Sequence, residues 1–136
     1  MRRDLLIVTC AVSAGVHAAL VPEHLEESTA TGGGFIAATV LLAALVVALT
    51  RRPDSRLVTA AAALTLAGLI LSYVLATTTG VPILQPEPEP VDGLALATKA
   101  IELLGLAAAL IPLAQRQRTG ASPWSRAMLT ARSHSH

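Results

Sequence analysis

Apolar residues run in four long blocks, 5–21, 34–50, 57–79 and 93–114, and charge is almost confined to the stretches between them. A helix rises about 1.5 Å per residue and a bilayer's hydrocarbon core is about 30 Å thick, so roughly 20 apolar residues cross it. The first two blocks are short of that, and Ala, Thr and Gly at their ends extend them. Backbone groups cannot go unpaired in lipid, so each block must be helical. The pattern predicts an all-α integral membrane four-helix bundle over residues 1–115, followed by a basic tail over 116–136.

Composition agrees. The chain of 136 residues is 53% hydrophobic and 14% charged, too little charge to coat a soluble domain. Aromatic residues are limited to Phe35, Tyr73 and Trp124. A single cysteine, Cys10, excludes an internal disulfide, and no Cys/His zinc spacing is present. The opening "MRRDLLIVTCAVSAGVHAA" has the basic start and apolar middle of a secretory signal, with a small-residue site at Val16-His17-Ala18. The apolar run continues to Val21 with no polar region before that site, so a retained helix is expected. "IVTC" lacks the small residues that precede a lipid-modified cysteine.

Charge sets the orientation. Arg2 and Arg3 precede the first block, Arg51, Arg52 and Arg56 join the second and third, and Arg116, Arg118, Arg126 and Arg132 follow the fourth. The other two connections, "PEHLEESTATGGG" and "GVPILQPEPEPVD", hold Glu23, Glu26, Glu27, Glu87, Glu89 and Asp92 with no Lys or Arg. By the positive-inside rule both termini and the middle loop are expected in the cytoplasm, with both acidic connections outside a bacterial plasma membrane. Lys99 is the one basic residue out of ten that breaks the rule.

"RRPDSR" is short enough to require an antiparallel helix pair. Pro22 is expected to start a separate short surface helix, "PEHLEES", with Glu23 in its first turn. "QPEPEP" is expected to be extended and Asp92 to cap the fourth helix. The glycines at 32–34 are expected to loosen the start of the second helix. The arginine-rich tail with Trp124 suits either contact with an anionic leaflet or a disordered segment.

Lipid gives helices no hydrophobic reason to associate, so stripes of small and weakly polar residues mark the contacts. Thr9, Ser13 and His17 form one in the first helix, with Ala11 and Gly15 nearby. Thr65, Gly68, Ser72 and Ala76 form another, and Thr98, Glu102, Gly105, Ala109 and Pro112 a third. The second helix, nearly all aliphatic, is expected to face lipid most.

Charges inside a span are costly and usually face a bundle interior. Lys99 and Glu102 lie about 10 and 15 Å along the fourth helix from Asp92, the latter near mid-bilayer. Three residues apart, they either pair with each other or Lys99 reaches outward and leaves Glu102 in need of a partner, a proton or water. His17 lies roughly 7 Å below Pro22, and Tyr73 roughly 9 Å below Thr79. An intramembrane polar cluster of His17, Tyr73, Lys99 and Glu102 is therefore expected beneath the outer face, roofed by Glu23, His24 and Glu27.

Three uses compete for that layer. The first is a hydrogen-bonded cluster that locks the bundle of an accessory or interaction protein. The second is zinc or copper handling, with His17, Glu23, His24 and Glu27 as ligands. The absence of thiolates outside, with Met1 and Met128 on the inner side, argues against copper(I) relay. The third is proton-coupled transport with Glu102 as carrier and Lys99 beside it. An enzyme is not expected: there is no GxSxG, no HExxH and no phosphate loop, since 32–34 lacks the Lys and Ser/Thr. No cofactor is required, "SHSH" is incidental, and the sparse arginines give nucleic acid no surface. The expected partners are the bilayer and another membrane protein or a second copy of the chain.

"VHAALVPEHLEE", followed by "GGGFIAA" and "GVPILQPEPEPVDGLALATKAIELL", resembles a group of small bacterial four-span membrane proteins. These carry His…Pro-x-His-Leu-x-Glu in the first outer loop, and a Pro/Glu-rich second outer loop ending in Asp. The resemblance covers most of residues 10–110 and draws attention to the outer loops. It implies no particular chemistry, because the group has no settled activity.

Overall fold

The computed structural model describes residues 1–80, 88 and 90–119, with side chains described to Ile111. Residues 81–87 and 89, which hold most of "QPEPEP", and 120–136 with Trp124 lie outside the described residues. Four helices make up the fold: α1 (Arg2–Glu27), α2 (Thr29–Arg51), α3 (Arg56–Thr78) and α4 (Gly93–Thr119). All four are long and apolar enough to cross a membrane. The chain is an all-α four-helix bundle built as a multi-pass membrane protein.

Polar residues set most of the helix ends. The Ser28 hydroxyl accepts the Thr31 N–H at the start of α2, and Ser55 accepts the Val58 N–H at the start of α3. As expected, Asp92 caps α4: Oδ1 accepts from the N–H groups of Leu94 at 2.7 Å and Ala95 at 2.9 Å. Gly80, at φ 68°, takes the left-handed turn that follows α3.

The connection between α1 and α2 differs from expectation. Pro22 starts no separate helix: α1 runs through it to Glu27, and Ser28 alone joins α1 to α2. Proline removes one backbone donor, but tertiary contacts of the following turn hold the helix together. Leu25 lies directly over Gly32, where a Cβ would meet both its side chain and its backbone Cα. His24 stacks on Phe35 with ring centroids 3.9 Å apart. The glycines at 32–34 are thus helical, and Gly32 permits a tight hairpin.

The helices form a ring in which α1 touches α2 and α4, and α3 touches α4 and α2. One apolar core joins Leu6, Cys10 and Ala14 of α1, Leu42, Leu45 and Leu49 of α2, Ala62, Ala63 and Leu66 of α3, and Ala109 of α4. These positions all fall in the half nearer the arginine-rich connection, here called the basic end. The opposite half, toward Ser28 and Asp92, is the acidic end.

Helix orientation corrects two further expectations. α2 supplies three buried leucines, and α3 is the least buried of the four helices. Gly68 and Ser72 of α3 are exposed, as are Ala11 and Gly15 of α1. The reason is chemical. Thr65 and Ser72 donate their hydroxyls to the carbonyls of Ala61 and Gly68 in their own helix, so they require no neighbour. The α1 stripe of Thr9, Ser13 and His17 and the α4 stripe of Thr98, Glu102 and Ala109 are buried as expected. Gly105 lets Thr9 sit against α4, where any Cβ would collide with the threonine side chain.

Candidate functional site

α4 carries Glu102 at the boundary between the apolar core and the acidic half, with no exposed surface. An uncompensated carboxylate there would be very costly. Glu102 is compensated on both oxygens. Lys99 Nζ donates to Oε2 at 2.7 Å from one turn away, and Ser13 Oγ of α1 donates to Oε1 at 2.6 Å. Lys99 therefore pairs with Glu102 rather than leaving it, and its side chain keeps 14% exposure.

Ser13 links this ion pair to His17. The His17 Nδ1 lies 2.8 Å from the Ser13 carbonyl oxygen and 3.4 Å from Ser13 Oγ. A carbonyl only accepts, so Nδ1 carries the proton, and in the neutral form of the ring Nε2 is the acceptor. His24 repeats the arrangement one step toward the acidic end, its Nδ1 lying 3.0 Å from the Leu20 carbonyl oxygen. Phe35 of α2 meets both imidazoles, at 5.4 Å from His17 and 3.9 Å from His24. From α3, the Tyr73 ring lies 5.7 Å from Lys99 Nζ, within reach of a cation–π attraction. The Tyr73 hydroxyl is buried without a hydrogen-bond partner among the described residues.

All four helices thus contribute to one layer, and His17, Tyr73, Lys99 and Glu102 are linked within it. Ser13, read from sequence only as part of a packing stripe, is the bridge between α1 and α4. Phe35 had no sequence signal beyond being aromatic.

Above the layer is a cavity of about 480 Å³, lined by His17, His24, Phe35, Tyr73, Thr98 and Lys99 among others. Exposed Glu23, Glu27 and Asp92 also line it and form its mouth. The expected metal ligands, His17, Glu23, His24 and Glu27, all border this space. Among the described residues, however, no three His, Cys, Asp or Glu side chains come together closely enough to hold a metal ion.

No protein-family model, curated protein or solved structure matches this chain. The site must be read from its own geometry. It offers a closed ion pair at its floor, two imidazoles above it whose Nε2 atoms have no partner among the described residues, and an acidic mouth.

Proposed function

We propose that this chain is an accessory or interaction subunit of a bacterial plasma membrane, whose polar layer locks the helices and shapes an outward-facing surface. The observation that carries the reading is the pairing of Glu102. Both carboxylate oxygens have donors on different sides, one from α4 itself and one from α1. A carrier's carboxyl must exchange protons with water, whereas Glu102 has no exposed surface and lies beneath the cavity. Such a network specifies which helix faces meet.

In this reading the basic end is cytoplasmic, supported by Arg2, Arg3, Arg51, Arg52 and Arg56 at that end. The glutamates of α1 and Asp92 then face outward. Metal handling takes second place. The free Nε2 atoms favour it, since metal-binding histidines commonly tie their other nitrogen to a carbonyl, but a third ligand is lacking among the described residues.

The test is gentle detergent extraction from native membranes, followed by sizing and identification of co-purifying chains. A stable stoichiometric complex, with another membrane protein or a second copy, is expected. Proton-driven flux in liposomes containing the chain alone, abolished by Glu102→Gln, would overturn the reading in favour of transport.

A further inference from the structure

We propose that the cavity at the acidic end binds a primary ammonium group carried on an apolar body, an activity that goes beyond the accessory role. The first support is size. About 480 Å³ falls within the range of small-molecule sites and far exceeds what a bare ion fills.

The second support is the inventory of acceptors. His17 is only 8% exposed, its Nδ1 is committed to the Ser13 carbonyl, and its Nε2 has no partner among the described residues while the ring borders the cavity. His24 presents its Nε2 in the same way. The Tyr73 hydroxyl is buried without a partner among the described residues, and such groups call for a ligand or water. Meanwhile the lining hydroxyls of Ser72 and Thr98 donate to their own helices. The two Nε2 atoms call for a hydrogen-bond donor, and the Tyr73 hydroxyl can accept as well as donate.

The third support is charge. Glu23, Glu27 and Asp92 line the mouth, while Lys99, the one Lys or Arg among the described lining residues, is neutralised by Glu102. An acidic opening over apolar walls concentrates cations. The Tyr73 face already lies near an ammonium, that of Lys99, and Phe35 supplies a second aromatic surface. Leu20 and Leu69 provide the apolar wall for the ligand's body. A divalent metal fits less well, because it requires three or four ligands at about 2 Å, and the described residues bring no such group together.

The same ammonium chemistry could come from a soluble amine or from an aminophospholipid headgroup. Calorimetric titration of the full chain in phosphatidylcholine nanodiscs with hexylammonium, hexanol and zinc decides whether the site exists. Saturable binding of hexylammonium but not hexanol is expected. Glu23→Gln/Glu27→Gln, on exposed positions, should weaken it about tenfold. Tyr73→Phe, which keeps the ring, should weaken it severalfold without lowering the melting temperature of the free protein. Adding phosphatidylethanolamine then separates the sources: loss of hexylammonium binding indicates a lipid headgroup, and unchanged binding a soluble amine. Absence of saturable binding in folded protein overturns the proposal, as does equal binding of hexanol. Stoichiometric zinc binding that excludes hexylammonium overturns it in favour of a metal. Failure here leaves the accessory reading standing, because co-purification does not depend on a cavity ligand.

Discussion

Glu102 is stable in an apolar bundle because Lys99 and Ser13 each satisfy one oxygen, and the two donors should not be equally important. Ser13→Ala removes one interhelical bond and should cost about 1 kcal/mol. Lys99→Met strands a buried carboxylate and should cost about 3 kcal/mol. Replacing both members, Lys99→Met with Glu102→Met, should recover most of that loss, since a paired charge and a well-packed apolar pair differ little. Denaturant unfolding in detergent measures all three, and a Lys99→Met protein as stable as the parent would remove the lock. Counting residues down each helix was enough to place His17, Tyr73 and Lys99 in one layer, with Glu102 slightly deeper. It did not reveal Ser13 as the bridge. A helical serine ordinarily donates to its own backbone, as Ser72 does, and only a facing carboxylate redirects that proton.

At the scale of the helix, glycines that look alike in sequence differ in what surrounds them. A Cβ at Gly105 would strike the Thr9 side chain, and one at Gly32 would come within 2.8 Å of the Leu25 backbone. A Cβ at Gly15 would meet nothing within 4 Å. Alanine favours a helix over glycine by about 1 kcal/mol, so Gly15→Ala should be neutral or stabilising. Gly32→Ala and Gly105→Ala should lower the melting temperature despite that gain, Gly32→Ala more because backbone cannot rotate away. Thermal melts of the three variants check the order. The same contacts explain Pro22. Read alone, it marks a helix start; with Leu25 lying on Gly32 and His24 on Phe35, the helix passes through it.

Across the whole molecule, the basic half is filled with leucine and alanine and the acidic half is polar and hollow. The proposed orientation gives an accessibility test. In intact cells, a membrane-impermeant maleimide should label Glu26→Cys, while Asp54→Cys should react only after permeabilisation. Cys10, fully buried, should stay unlabelled in both. The reverse pattern would invert the bundle and turn the cavity toward the cytoplasm.

The amino-acid sequence by itself determined the four helices, the separation of acidic from basic connections and the depth of each ionisable side chain. Each follows from one segment at a time, because a helix in lipid must satisfy its own backbone and charge must stay near water. Tertiary structure decided the rotation of each helix: that α2 turns Leu42, Leu45 and Leu49 into the core while α3 is the least buried, that Ser13 meets Glu102, and that α1 continues past Pro22. Leucine facing lipid and leucine facing a core are nearly equivalent in hydrophobic energy, so rotation depends on close approach at Gly32 and Gly105 and on the few hydrogen bonds that cross between helices.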